Sequence, residues 1–409
     1  MASKNTDSPV RSIALTTSEQ AMLCEEANRV VMETLAVNEL FITCDRQLPK
    51  SDWKHLRTRE NIHVFRTRTK PKARRSSISC EDSQDGNVDN QLHQTETRQD
   101  RVTSNSRSGS SSGSSDNRND QSVLAKMKPS SAPLLVATGV ISGTVEDAAF
   151  GALAHTETLW RSRDAHLKDE YAAIKILAVI REPTAQDPFR SLVLKWSTKR
   201  IGSLARMRDC VFIEANGIAF DSKGVPFAYN LVHSIDNIAR IPGLKHLDVV
   251  RVNISTCYIS RRYNQSSIEV FCRGFADAGG NFIESLGTNL FSEMILSFVH
   301  IVDCAFVKKL MWLTHKKRCA NESTGSTADP LHCNICSTGF SSLCNLIRAW
   351  GSCQACQTVV CPKCTAVKKI QVEVGRSEMT EKVMAFCLHC MVEAKEASTR
   401  EVALSSVDT

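Results

Sequence analysis

VVRVNISTCYISR (Val249–Arg261), the turn residues Asn264-Gln265-Ser266, SIEVFCRGFAD (Ser267–Asp277) and an apolar-striped run from Asn281 to Lys316 together decide the fold. Val250, Val252, Ile254, Thr256 and Tyr258 alternate along one face, the period of a strand with one side turned inward. The polar turn predicts that the next run returns antiparallel beside it. Then the period changes. Leu290, Met294, Phe298, Val302, Phe306, Leu310 and Leu313 recur at three- and four-residue spacing, which predicts a long amphipathic helix. Strands closed by a terminal helix predict an α+β domain, not an alternating parallel fold.

The same pattern continues upstream. LLVATGVIS (Leu134–Ser142), YAAIKILAVI (Tyr171–Ile180), SLVLKWST (Ser191–Thr198), DCVFIEAN (Asp209–Asn216) and VPFAYNLVHSI (Val225–Ile235) are short apolar runs. Turn chemistry such as Asp221-Ser222-Lys223-Gly224 separates them, and they read as neighbours in an antiparallel sheet. Thr144-Val145-Glu146-Asp147 opens a helix in capping-box fashion. Thr17–Phe41 carries Leu23, Ala27, Val30, Val31, Leu35 and Leu40 at helical spacing, and a short strand is predicted around Ile62–Phe65. The helix and strand of residues 13–69 are assigned to the same domain as 133–316. Between Phe65 and Phe150 there is no aromatic residue, and Ser, Asn, Asp, Gln and Gly dominate. Residues 70–132 therefore read as a disordered insertion or linker, too poor in apolar surface to order itself.

Of 409 residues, 42% are hydrophobic, enough for a real core, and 51 Lys+Arg against 44 Asp+Glu leave a net charge of +7. That charge is spread along the chain, which argues against a nucleic-acid partner. The opening MASKNTDSPVRSIALTTSEQ has no apolar h-region, so a cytoplasmic location is expected, with peripheral contact to endosomal or other membranes. Met294–Leu313 is the best candidate span. Asp303, Lys308 and Lys309 would each cost about 2.5–3.5 kcal/mol at a bilayer centre, and the helical stripe predicts docking on a protein core instead.

Several local sequences occur in a telling order: Gly143-Thr144-Val145-Glu146-Asp147, Glu182-Pro183-Thr184, Asp187-Pro188-Phe189-Arg190, Leu194-Lys195-Trp196, Arg208-Asp209, Tyr229 before His233-Ser234, and Lys308-Lys309-Leu310. With the order of elements, residues 133–316 resemble a StAR-related lipid-transfer (START) domain, in the divergent form common in oomycete proteins with a zinc finger behind it. The resemblance implies a helix-grip fold, a curved antiparallel sheet wrapped around its C-terminal helix, with lipid held in an apolar cavity. Burial of tails would dominate binding, at about 0.8 kcal/mol per CH₂, and a few polar groups would select the head. Arg208 is the side chain placed nearest that cavity; an Arg-Asp structural ion pair is the alternative. Trp196 and Tyr229 are cavity candidates too, with a core role as their alternative.

The chain holds 17 cysteines, and eight of them form four C-x-x-C pairs: Cys333/Cys336, Cys353/Cys356, Cys361/Cys364 and Cys387/Cys390. Such a knuckle presents two thiolates to one tetrahedral ion, so four knuckles predict two Zn²⁺ sites, and metal binding would supply most of this segment's folding free energy. The run C-x2-C-x4-C-x2-C with Cys336-Ser337-Thr338-Gly339-Phe340 upstream resembles a FYVE-type finger over residues 330–393. That resemblance implies cross-brace ligation, Cys333, Cys336, Cys361 and Cys364 on one ion and Cys353, Cys356, Cys387 and Cys390 on the other. It departs from the family where phosphatidylinositol 3-phosphate is read, since Arg348-Ala349-Trp350-Gly351-Ser352 precedes Cys353 and Gln354 follows it. Phosphate recognition needs several converging donors. Leu343, Leu346 and Ile347 are candidates for a membrane-inserting loop or for the finger's own core. Arg348, Lys363, Lys368 and Lys369 are candidates for membrane contact, with Lys368 and Lys369 attracted to anionic lipid at about 1 kcal/mol each. Residues 394–409 read as a flexible tail.

G-x-x-x-x-G-K-[ST] and H-E-x-x-H are absent from the sequence and no G-x-S-x-G forms a strand-to-helix elbow, since Gly109–Gly113 falls within the Ser-rich segment, and an ion ringed by four cysteines has no open position for substrate. The expectation is a non-enzymatic lipid-binding or lipid-transfer protein whose finger targets a membrane or a protein partner. The alternative is a protein-interaction adaptor with a structural finger and no retained ligand.

Overall fold

The computed structural model describes residues 10–68, 122–169, 171–200, 206–235, 238, 241, 243–280, 282–324, 332–339, 351–374 and 378–407. Helix α1 (Thr17–Thr43) starts at the capping box of Thr16 and Glu19. A hairpin of β1 (Trp53–Arg59) and β2 (Ile62–Thr67), the short α2 (Val123–Met127) and β3 (Leu135–Ser142) follow. Next come α3 (Val145–Ala152), α4 (Glu157–Leu167), β4 (Ala173–Arg181), β5 (Ser191–Arg200), β6 (Met207–Phe220) and β7 (Pro226–Ser234). After them stand β8 (Val250–Arg251), β9 (Asn253–Arg262), β10 (Ser267–Asp277), α5 (Glu284–Ser297) and α6 (Ile301–Thr324). A single tight turn of helix, Phe298–His300, joins α5 to α6.

The strands form one ten-stranded sheet in the order β1-β2-β3-β10-β9-β7-β6-β5-β4, with β8 beside β6. Every pair is antiparallel except β6 with β8. The passage quoted at the outset behaves as its alternation predicts from Asn253 onward, pairing Asn253–Arg262 with Ile268–Asp277. Val250 and Arg251 peel away to pair in parallel with Arg208 and Asp209.

Both faces of the sheet are covered. On one, Leu192, Leu194, Trp196, Val211, Ile213, Phe227, Leu231, Cys257 and Ile259 pack under α1. The other carries α3, α5 and the start of α6, where Tyr258 stacks on Phe298 with centroids 3.8 Å apart. Arg57 and Arg59 of β1 both pair with Glu293 of α5, tying the far edge of the sheet to the helix that it wraps. A sheet curled in this way around a C-terminal helix is a helix-grip fold.

Helix α4 escapes the sequence patterns because ETLWRSRDAHL is mostly polar, yet Trp160, Arg163, Asp164 and Ala165 are buried. The helix Glu284–Asn321 is long and apolar enough to cross a membrane, but half of its apolar window is buried inside the protein. Behind it come the strand pairs β11 (Gly351–Ser352) with β12 (Val359–Val360) and β13 (Thr365–Val374) with β14 (Glu378–Cys387), then α7 (Leu388–Glu396) and α8 (Thr399–Ser405). The flexible tail predicted from 394 is corrected here. Helix α8 places Val402 and Ala403, each 1% exposed, in the same core cluster as Phe150, Tyr258 and Ile301. The predicted disordered segment needs a shorter end as well, because Leu124 of α2 is buried beside Phe41 and Phe271. Its residues 70–121 lie outside the described residues.

Candidate metal centres and internal cavity

The eight paired cysteines form two groups. Cys333, Cys336, Cys361 and Cys364 bring their sulfurs within 4.8 Å of one another, as do Cys353, Cys356, Cys387 and Cys390. This is the interleaved, first-with-third pairing. The Cys336 and Cys361 sulfurs stand 3.7 Å apart and those of Cys356 and Cys387 3.9 Å. Four sulfurs at ~2.3 Å from one tetrahedral ion would stand about 3.8 Å apart, so each donor set fits a zinc ion and leaves no protein-free position.

Two of the knuckles repeat one local design. After Cys336 comes Ser337 at φ 55°, and after Cys356 comes Gln357 at φ 61°. Each left-handed residue turns the chain so that Thr338 and Thr358 place their hydroxyls 3.1 and 3.0 Å from the Cys336 and Cys356 sulfurs. The same turn lets the Cys333 and Cys353 amides donate to the carbonyls of Thr338 and Thr358. The Cys361 amide donates to the Cys333 sulfur and the Cys390 amide to the Cys387 sulfur, each at 3.3 Å. Such N–H···S bonds favour the thiolate that a metal needs. The shared C-x-x-C-x-T spacing is the signal that identifies this repeat.

The cysteine lobe is docked on the sheet lobe. Leu310 and Leu313 of α6 belong to its core together with Phe386 and Ile370. The Lys309 ammonium donates to Asp147 at 3.2 Å and Thr399 at 3.4 Å, joining α6 to α3 and α8. Arg318 donates to Gln354, and Asn321 to the Cys356 carbonyl. His166 of α4 meets Asp303 of α6 at 3.1 Å, and Lys368 of β13 meets the same carboxylate at 3.2 Å. Burial works against charge on His166, but its bonds to Asp303 and Cys304 prevail and hold its pKa up at about 10.

Between the sheet and helices α4 and α5 lies a cavity of about 720 Å³. Phe212, Val232, Ile254, Tyr258, Phe291 and Met294 supply much of its apolar wall. Its deep side is ionic. Arg163 donates to both oxygens of Glu214, at 2.6 and 3.0 Å. Lys195, wholly buried, donates to Glu214 at 3.1 Å and to the Ala154 carbonyl at 2.7 Å, with its ammonium over the Trp160 ring. Burial is the largest influence on all three groups. It lowers the Lys195 pKa to about 8, whereas Arg163 and Lys195 reverse it at Glu214 and leave that carboxyl below its ordinary value.

Arg208 lines the cavity, donates to the carbonyls of Ala278 and Arg206, and lies over the Phe282 ring. Its neighbour Asp209 pairs instead with Arg251 and with the indole of Trp196, so Arg208 and Asp209 are not an ion pair. Trp196 and Tyr229 are corrections. Side chains alternate along a strand, and these two sit on the opposite face, under α1, where both pack in the core with Phe227. Lys195 and Asn230, their immediate neighbours, face the other way. Arg163 and Glu214, which line the cavity, and Lys195 behind Glu214 were missed by sequence reasoning; a Lys in the middle of an apolar strand was the available signal.

No family model and no curated protein matches the chain. Solved lipid-transfer proteins resemble it. Human StAR-related lipid transfer protein 5 is 11% identical, with 69% of this chain and 95% of that one covered at a TM-score of 0.36. Human STARD10 is 9% identical, with 65% and 78% covered at 0.34. The StAR-related lipid transfer protein of Xanthomonas axonopodis is 10% identical, with 61% and 98% covered at 0.34. Scores this low carry no weight of their own beside the strand order and wrapped helix described above.

Among the membrane-contact candidates, Leu343, Leu346, Ile347 and Arg348 lie outside the described residues. Lys363 is exposed. Lys369 is exposed too but pairs with Glu381 at 2.8 Å. Lys368 is a correction, since it is engaged by Asp303 and by the Phe306 ring of α6.

Proposed function

We propose that this chain is a non-enzymatic lipid-binding or lipid-transfer protein of the cytoplasm, touching membranes transiently, whose two-zinc lobe braces the wall of its cavity. The cavity carries this reading: about 720 Å³ falls within the roughly 300–1,000 Å³ typical of sites that hold one small molecule. An apolar wall holds hydrocarbon, and a few fixed polar groups select the molecule's other end. A bracing role for the zinc lobe, ahead of a membrane-reading one, is supported by Lys368, which is spent on Asp303. The FYVE-like character of the finger remains part of this proposal, with a protein partner as the reading for its free surface.

Native mass spectrometry of the intact protein tests both halves. Two zinc ions and a retained lipid are expected, with Cys353→Ser reducing the zinc count to one. Protein that carries no lipid and moves none between labelled vesicles would overturn the lipid reading whatever its zinc count.

A further inference from the structure

The two cysteine groups differ in what surrounds them. The sulfurs of the first are met from within their own lobe, by the Thr338 hydroxyl at Cys336 and the Cys361 amide at Cys333. The second has the matching Thr358 hydroxyl at Cys356 and Cys390 amide at Cys387, and a cation besides. The Lys317 ammonium, from α6, donates to the Cys390 sulfur at 3.4 Å. Glu393 of α7 holds the same ammonium from its other side.

Three residues from the far turns of α6 converge on this group. Residues four apart share a helix face, and with that spacing Lys317 reaches the Cys390 sulfur and Asn321 the Cys356 carbonyl. Arg318 takes both the backbone and the side-chain oxygen of Gln354, each at 3.0 Å, inside the Cys353–Cys356 knuckle. The same helix is anchored in the grip at its other end, where Ile301 and Ala305 are buried in the core beneath the sheet. Charge gives the Lys317 contact its weight. Four thiolates around one Zn²⁺ leave two net negative charges on the unit. A hydrogen bond from a cation to an ionised acceptor is about twice as strong as a neutral one. Lys317 is half-buried, so water screens it less than its neighbour Lys316, which is exposed and lies over the Trp312 ring.

We propose that the second zinc ion is a joint between the two lobes, held there by Lys317 acting through the Cys390 sulfur, while the first ion belongs to the cysteine lobe alone. This rests on the zinc reading above and goes beyond it, because it makes the two ions unequal. Linkage makes the effect reciprocal: an ion in the second site tightens docking on α6 by the factor that docking tightens the ion.

The test uses the full chain, loaded with zinc for chelator competition and with cadmium for metal NMR. Two cadmium resonances are expected, and the one that Cys353→Ser abolishes marks the second site. Lys317→Met keeps the aliphatic stem and deletes the charge. It is expected to shift that resonance alone and to weaken the hold on that ion about 10–100-fold, the range for groups that support a metal ligand. Lys317→Arg keeps the cation, so it should retain the ion while displacing the resonance. Lys316→Met makes the same charge change one residue away and should leave both sites unaltered. An equal loss of both ions in folded Lys317→Met would overturn the inference. So would an effect of Lys316→Met as large, or a second resonance that neither Lys317 variant moves. Protein that takes up neither zinc nor cadmium would instead sink the zinc reading itself.

Discussion

At Glu214 one carboxylate serves two buried cations, Arg163 from α4 and Lys195 from β5. Removing one member of such a group strands the others in a low-dielectric wall. Glu214→Ala is therefore expected to cost about 3–5 kcal/mol in chemical denaturation, and a loss of only a few tenths would mean that water reaches both cations. His166 gives a second prediction. Its folded pKa of about 10 lies above the ordinary 6.5, so its contribution to stability is complete below pH 6.5 and disappears as pH rises through 10. In an NMR titration its ring should stay protonated at pH 8, and Asp303→Asn should return it toward the ordinary range. Of the site residues, the cysteines were legible because ligand spacing is a local property of the chain. Trp196 and Tyr229 were misread because a short motif names a residue without saying which side of the strand it occupies.

Among the elements, β9, β10 and the long terminal helix were readable because one buried face imposes a period. Helix α4 was not: its buried side is built from Arg163 and Asp164, and a buried ion network looks like a solvated surface in sequence. Strand β1 escaped for a similar reason, since WKHLRTR is a basic edge strand and edges are often charged. The contact between α3 and α6 was not legible in the sequence. Lys308 donates to the carbonyls of Phe150, Gly151 and Leu153 at the end of α3. A Cβ on Gly151 would come within 1.9 Å of the Ile301 carbonyl oxygen. Gly151→Ala should push these helices apart at a cost of about 1–3 kcal/mol, seen as a lower melting temperature with both zinc ions retained.

Across the whole molecule, α4 is shared between the lobes. Arg163 and Asp164 face the cavity, while Thr158 donates to Glu373 and His166 reaches Asp303, itself bonded to Lys368. Stripping zinc is expected to loosen β13 and β14 first and then this helix. Amide hydrogen exchange over 157–167 should accelerate in chelator, and any retained lipid should leave sooner. Exchange confined to residues 332–396 would show that the lobes are energetically independent.

Helix α8 has a practical corollary for anyone dissecting the molecule. Val402 and Ala403 reach back past the cysteine lobe to complete the hydrophobic interior beneath α3. A gene fragment ending near residue 316 would encode a grip with part of its core missing, and its product should be insoluble or sticky. Supplying residues 332–407 as a second polypeptide should rescue it.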